Sequence, residues 1–401
     1  MRKPLTAAFL VLLAYGGAVP AAAADPTAPV VGGARMADPG VVSSPDVVPP
    51  PPLGAVSYTV SDLRTGRIYA AKDPHYRSLP ASTLKTLTAL TLLPRLDPQQ
   101  VVTAEPGDLQ MECTCAGAVA GRPYTVDMLF HGLLIWSAND AANLLAKANG
   151  GYDKTLDDMN AMAAWLHAND THAATPSGLD GPGQTISAYD LALINREAYK
   201  LPAFRDIIGT DRWLFRPTVD GGPQNWLTNK VRQHASEAGV AGLVGGKDGW
   251  TSAAQHTLVL FAERDGRTMM VTLVRADNSF WAQGRQLMDW AFTVPTKADP
   301  VGQLVAPGDP PQRPRKPPVV AVPAGGHHGH GTVASGLGGS LAGTGSAAAL
   351  MVVTIGYLRW RRRRSRRDVE RYLPSSYLPA AAGSAPSREP DDGDGHVSGT
   401  D

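Results

Sequence analysis

Hydrophobic and polar positions along this 401-residue chain change period twice, from strand to helix and back to strand. Val56-Ser57-Tyr58-Thr59-Val60 alternates, the period of a strand, and Arg64-Thr65-Gly66 turns it into Arg67-Ile68-Tyr69, which predicts a hairpin. Pro80 then precedes a predicted helix from Ser82 through Leu93, on which Leu84, Leu87 and Leu90 mark one apolar side. Helical spacing dominates from Val126 to Leu166, including Val126 to Leu134 and Asp140 to Ala148. The Pro- and Gly-rich stretch Thr175 to Gly183 breaks it as a loop, and Ser187 has the chemistry of an N-cap for a helix through Leu191 and Ile194. Strand patterns return in Leu243 to Trp250, Thr257 to Phe261 and Met269 to Val274, with Asp265-Gly266 as the turn between the last two. Strands at both ends with helices between them predict one sheet assembled from both chain ends. The expectation is a single α+β domain over residues 54–296, about 240 residues, enough to bury a substantial core.

Outside that domain the pattern predicts segments rather than folds. Arg2 and Lys3, the apolar run Leu5 to Val19 and the small residues Ala21 to Ala24 read as a secretory signal peptide over 1–24. Residues 25–53, with the run Pro49 to Pro52, read as an extended spacer, and 297–332 as a Pro-, Gly- and His-rich linker. His327, His328 and His330 fit that low-complexity linker better than a metal site. Residues 333–358 carry no charge and end at an arginine block from Arg359 to Arg367, the arrangement of one C-terminal transmembrane helix with its stop-transfer signal. The folded part is therefore expected outside the membrane and the disordered tail, 359–401, inside. Repeated Tyr372-Leu373-Pro374 and Tyr377-Leu378-Pro379 in that tail read as composition rather than a motif.

Charge removes one class of partner. With 37 basic and 36 acidic residues the net charge is +1, so no basic footprint for nucleic acid exists, and the arginine block is better explained by lipid headgroups. Cys113 and Cys115 are the only cysteines. An oxidising compartment permits a disulfide, yet the spacing is short for one, which leaves a tight local bridge and two free thiols both open. The pair alone lacks two of four zinc ligands, and no cofactor is expected.

Candidate chemistry begins at Ser82-Thr83-Leu84-Lys85. Residues i and i+3 of a helix share a face, so a lysine amine can reach a serine hydroxyl as a base reaches its nucleophile. The spacing by itself arises by chance. Its weight comes from Ser137-Ala138-Asn139, predicted to open a helix, and Lys247-Asp248-Gly249, predicted in a strand. Each pattern occurs once in the chain.

These elements, with Pro80-Ala81, Asp140-Ala141-Ala142, the loop Thr175 to Gly183 and Gly246 to Thr251, make residues 54–296 resemble the penicillin-binding, serine D-alanyl-D-alanine carboxypeptidase family. The resemblance implies an antiparallel sheet with flanking helices of the β-lactamase and DD-peptidase type. It implies peptidoglycan stem peptides as substrate and β-lactams as covalent inhibitors. Ser82 would attack, Lys85, kept neutral by burial beside Lys247, would be the base, and Ser137 would relay a proton to the departing amine. Asn139 would hold the substrate backbone and orient the lysine, and Lys247, Gly249 and Thr251 would line the substrate site. The backbone amides of Ser82 and Trp250 would form the oxyanion hole. Trp136 and Trp250 fit either a cleft wall or the core.

Asp248 departs from the family pattern, which commonly has threonine there. An ionised aspartate cannot donate to a substrate carboxylate and repels it, so recognition of the substrate's carboxyl end is the open point. Two other functions share the motifs. A serine β-lactamase of class A needs a glutamate after the Ser-x-Asn element, and none occurs between Ala141 and Arg196. A non-catalytic, membrane-tethered wall-binding protein would keep the fold and lose activity through Asp248.

Overall fold

In the computed structural model, residues 30–308 are described. The predicted signal peptide, most of the predicted linker, the predicted transmembrane helix at 333–358 and the tail lie outside them. No helix among the described residues is long and apolar enough to cross a membrane.

Strands β1 (Val41–Ser43), β2 (Ser57–Asp62) and β3 (Arg67–Lys72) open the fold. Helix α1 (Lys85–Leu92), the pair β4 (Val101–Thr103) and β5 (Pro123–Thr125), and helices α2 (Val126–His131), α3 (Asn139–Ala148), α4 (Tyr152–Trp165), α5 (Ala188–Ala198) and α6 (Pro202–Gly209) follow. Next come the hairpin β6 (Arg212–Phe215) and β7 (Asn225–Thr228), helix α7 (Lys230–Glu237), the long strands β8 (Leu243–Thr251), β9 (Gln255–Arg264) and β10 (Arg267–Ala276), helix α8 (Phe280–Thr293) and β11 (Gly302–Gln303). The main sheet is antiparallel, in the order β1-β3-β2-β10-β9-β8, with β11 beside β1 on β3. Strands from both ends of the described residues thus build one sheet, as the pattern predicts. Asp265 and Gly266 take positive φ of 50° and 72° at the β9–β10 turn, the conformation of a tight hairpin.

Alternation sorts the sheet into two cores. Leu258, Leu260, Met269, Val271 and Leu273 face α8 and α7, whereas Val259, Phe261, Met270 and Val274 face the helical region led by α1 and α5. The central strands are therefore buried on both faces. Helix α1 is buried all round rather than on one leucine side, because the sheet and the helices between β3 and β6 enclose it. Two of its threonines are satisfied, Thr86 locally by donating to the Thr83 carbonyl at 2.8 Å and Thr88 by donating to the distant Pro176 carbonyl at 2.7 Å, whereas the Thr91 hydroxyl is buried with no partner among the described residues.

Two boundaries differ from the sequence reading. The segment expected as a spacer up to residue 53 packs on the domain from Val30 onward. Met36 and Val42 are buried, β1 pairs with β3, and Trp290 donates to the Val48 carbonyl. At the other end Val301 and Leu304 are buried and β11 closes the edge of β3, so the folded part runs past 296. Few apolar residues among many prolines hide this, since single anchors carry no periodic signal.

Candidate active site

Ser82 lies in a 3-10 turn, Ala81–Leu84, that passes into α1 at Lys85. The predicted helix therefore starts tighter than an α-helix, and the i to i+3 relation survives: Lys85 Nζ is 2.9 Å from Ser82 Oγ. Ala81, directly before the serine, has φ of 46°, a left-handed conformation costly for a residue with a Cβ. Gly178, itself at φ of 82°, packs against the Ala81 carbonyl so closely that no side chain fits between them.

Lys85 is fully buried among three oxygen atoms. Besides Ser82 Oγ, its Nζ donates to Asn139 Oδ1 at 2.7 Å and to the Ser177 carbonyl at 2.5 Å. Burial pushes this amine well below the ordinary lysine range, and the nearby charge of Lys247 pushes the same way; Asp248 opposes, Lys230 adds, and Asp140 opposes. Asn139 opens α3, and its Nδ2 donates to the Glu112 carbonyl at 2.8 Å, which turns Oδ1 toward Lys85. The Ser177 carbonyl is held by a braced loop. Gln184 Oε1 accepts from the amides of Ala174 and Thr175, and its Nε2 donates to the Leu179 carbonyl.

Strand β8 brings the third element to the same place. Gly249 lies against the turn: a methyl there would sit 2.6 Å from Ser82 N and 2.9 Å from Thr83 N. Thr257, across from Gly249 on β9, donates to the Pro80 carbonyl at 2.8 Å and ties the sheet to the start of the turn. Lys247 is buried, and its Nζ donates to the Asp248 carbonyl at 2.6 Å and to Asp248 Oδ1 at 3.0 Å. Desolvation works against the Asp248 carboxylate, but the charge and hydrogen bond of Lys247, with Lys230 behind them, outweigh it and hold its pKa below the usual range.

Other expected residues are placed less directly. Ser137 ends a turn of π-helix, Gly132–Trp136, with φ of 69°, and its hydroxyl has no hydrogen-bond partner among the described residues. Thr251 donates to Asp180 Oδ1 at 3.0 Å, so its hydroxyl is engaged with the 175–183 loop. Trp250 is 60% exposed and belongs to neither core. Trp136 is half-buried, with its indole N–H on the Cys115 carbonyl at 2.8 Å. Cys113 and Cys115 form a disulfide, which resolves the open alternative.

Lys230 was not singled out from the sequence. Its ammonium lies 4.5 Å from the centre of the Trp136 ring, and burial lowers its pKa, with Asp248 opposing and Lys247 adding. Asn229 positions it, capping α7 through the Arg232 amide and donating to the Ile208 and Thr210 carbonyls. Asn229 was legible as a cap; nothing local marks the lysine after it. Asp140 and Ser177 had a signal, since both stand in the quoted motifs, but their roles as loop brace and carbonyl acceptor are set by contacts 22–24 and 92 residues apart.

One group of potential metal ligands converges among the described residues, His75, Asp170 and Asp190, with ligand atoms within 4.8 Å. It is internally bonded rather than open. His75 Nδ1 is 2.7 Å from Asp170 and Nε2 is 3.0 Å from the Val31 carbonyl, while Arg77 donates to Asp170 at 2.9 Å.

Residues 45–278 match the family model described as D-alanyl-D-alanine carboxypeptidase. The D-alanyl-D-alanine carboxypeptidase DacB2 of Mycobacterium tuberculosis is 40% identical over 264 residues, 64% of this chain and 88% of that one. DacD of Escherichia coli, also a D-alanyl-D-alanine carboxypeptidase, is 29% identical over 255 residues, and the match spans 64% of its length. A crystal structure of a D-alanyl-D-alanine carboxypeptidase from Mycobacterium tuberculosis superposes with a TM-score of 0.62 at 39% identity, over 65% of this chain and 99% of that one. A Streptomyces DD-transpeptidase structure shares the fold, with a TM-score of 0.57 at 24% identity over 62% of this chain and all of that one.

Proposed function

The chain belongs to the D-alanyl-D-alanine carboxypeptidase family and is a serine hydrolase of that activity, and on that premise we propose that Ser82 removes the terminal D-alanine of peptidoglycan stem peptides through an acyl-enzyme. The observation that carries the assignment is the partner set of Lys85. A neutral amine has two N–H groups and one lone pair. The Asn139 and Ser177 carbonyls accept only, so they take the two N–H groups and leave the lone pair for the Ser82 hydroxyl. Burial and Lys247 favour that neutral state.

Ser82 Oγ bonds to the carbonyl carbon as Lys85 takes the hydroxyl proton. The oxyanion that forms is assigned to the backbone amides of Ser82 and Trp250, at the edge where Gly249 meets the turn. Collapse breaks the C–N bond, and D-alanine leaves with a proton delivered through Ser137, whose hydroxyl has no competing partner among the described residues. Water then hydrolyses the ester at Ser82. At the carboxyl end of the substrate, Lys247 and Lys230 outnumber Asp248 by one charge. Because Thr251 is engaged with Asp180, we assign the substrate carboxylate to the lysines.

Stem peptides lie outside the cytoplasmic membrane, so the enzyme acts there. The uncharged stretch 333–358 and the arginines after it support a single C-terminal anchor. Penicillin would acylate Ser82 by the same route, and with no glutamate between Ala141 and Arg196 to speed hydrolysis, the adduct should persist. The intact Lys85 partner set argues against a non-catalytic wall-binding role. Muropeptides ending in D-Ala-D-Ala, incubated with the enzyme and weighed by mass spectrometry, test the reading. Loss of one alanine that disappears in Ser82→Ala supports it, and an unchanged substrate refutes it.

A further inference from the structure

The stretch Glu112 to Ala118 has no regular secondary structure, yet its backbone groups converge on the Ser137-Ala138-Asn139 element. The Thr114 carbonyl accepts the Asn139 amide at 2.7 Å, the Glu112 carbonyl accepts Asn139 Nδ2 at 2.8 Å, and the Cys115 carbonyl accepts the Trp136 indole at 2.8 Å. Beyond them the amides of Ala116, Gly117 and Ala118 donate to the Asp140 carboxylate at 2.9, 3.0 and 2.9 Å. Asn225 on β7 donates to the Ala116 carbonyl at 3.0 Å and holds the far side. An irregular chain keeps two carbonyls on Asn139 and a third on Trp136 only if its own freedom is restricted. The Cys113–Cys115 disulfide does that, closing a ring around Thr114 with Cα atoms 5.1 Å apart, against roughly 6.6 Å for an extended i to i+2 pair.

Asn139 is the residue through which the ring reaches the chemistry. Its amide has two ends of similar shape and opposite hydrogen-bonding sense. With Nδ2 on Glu112, Oδ1 faces Lys85; with the amide reversed, an NH2 group would face the amine and donate to its lone pair, the pair that Ser82 needs. Nothing else among the described residues bonds Nδ2. We propose that the Cys113–Cys115 ring is a redox-sensitive positioning element that holds the Glu112 and Thr114 carbonyls on Asn139 and so fixes which end of its amide faces Lys85. Cys113 is exposed, open to a dithiol reductant. The reductant passes two electrons and two protons to the bridge, the S–S bond breaks to two thiols, and the reductant becomes its own disulfide.

The proposal rests on the acyl-enzyme reading above, and its test separates the two. The rate constant for acylation by a fluorescent penicillin is measured against pH for the oxidised chain, the dithiol-reduced chain and Cys113→Ser/Cys115→Ser, with melting temperature recorded for each. Lys85 is faced by Lys247, Asp248, Lys230 and Asp140, which are the same residues in all three; Asp140 bonds the Ala116–Ala118 amides, and its displacement would also lower the Lys85 pKa. Loss of Oδ1 removes an acceptor that favours the ammonium form, so the acid limb of the profile should move to lower pH. The plateau should fall on the order of 10- to 100-fold, the cost of misplacing a catalytic group by up to about 1 Å. Reoxidation should restore the reduced chain, and the double variant should be slow and indifferent to the reductant. Equal rates and profiles in all three overturn the proposal. So does an acid limb that moves up toward ordinary lysine, or a rate loss that tracks a collapse in melting temperature, since either marks general loosening. An oxidised chain that never acylates removes both readings; a reduced chain that acylates like the oxidised one removes this one alone.

Discussion

Replacing Gly249 by alanine puts one methyl group between the sheet and the nucleophile, and the structure sets the size of the effect. The new Cβ would lie 2.6 Å from Ser82 N, 2.6 Å from Thr257 Oγ1 and 2.9 Å from Thr83 N, where ordinary contacts begin at 3.4 Å. The threonine hydroxyl can swing aside only by giving up its bond to the Pro80 carbonyl, and the two amides cannot rotate at all. Strand β8 and the Ser82 turn must therefore part by roughly 0.8 Å. β8 is pinned along its length to β9, so the turn is expected to yield. A shift of that size at a nucleophile costs on the order of 30- to 100-fold in acylation. Overpacking of this kind costs about 1–3 kcal/mol of stability, or roughly 2–12 °C in melting temperature for a domain of this size. Stopped-flow acylation by a fluorescent penicillin and a thermal melt measure both. Acylation within threefold of wild type, with the melt unchanged, would refute the claim that the closeness of Gly249 to the Ser82 amide positions the nucleophile.

Asp248→Thr removes a carboxylate from the proposed carboxyl-binding end and supplies a donor there; KM for a D-Ala-D-Ala peptide should drop about tenfold or more, the worth of a hydrogen bond to a charged group. Because Asp248 favours the Lys85 ammonium, the same variant should move the acid limb of the activity profile to lower pH, and an upward shift would contradict the charge assignment. In wild type the proposed mechanism needs neutral Lys85, so the rate should hold well below the ordinary lysine range and fall only as pH drops through the depressed pKa. Between those two values the unfolded chain binds the extra proton, so this group's contribution makes stability rise with pH there. Asp190 runs the other way: burial, then Asp170, raises its pKa to about 7, and its Oδ1 has no partner. Folding favours its protonated form, so that contribution fades as pH rises toward and past 7. The melting temperature of Asp190→Asn relative to wild type should accordingly be higher at pH 8 than at pH 5; a constant difference would refute the burial argument.

Several parts of this enzyme were legible in the order of its residues because their causes are local. Ser82 and Lys85 meet since three residues make one helical turn, Ser187 caps α5 through the Asp190 amide, and alternation in β9 and β10 marks strands whichever helices cover them. The motif order also carried the family, and with it the expectation that three distant segments share a cleft. Other features depend on contacts that no window of sequence contains. Whether residues 30–53 hang free or pack was decided by a few anchors such as Met36 against the domain. Helix α1 is buried on every side because of what surrounds it, not because of its leucine spacing. Lys230 reaches Asp248 and Trp136 only through the docking of α7, and the Asn139 amide takes its orientation from the Glu112 carbonyl 27 residues earlier in the chain. Sequence order determines which groups are present and which near neighbours they meet; burial and electrostatics, which tune Lys85 and decide what Asp248 does, arise only when the long-range packing excludes water around them.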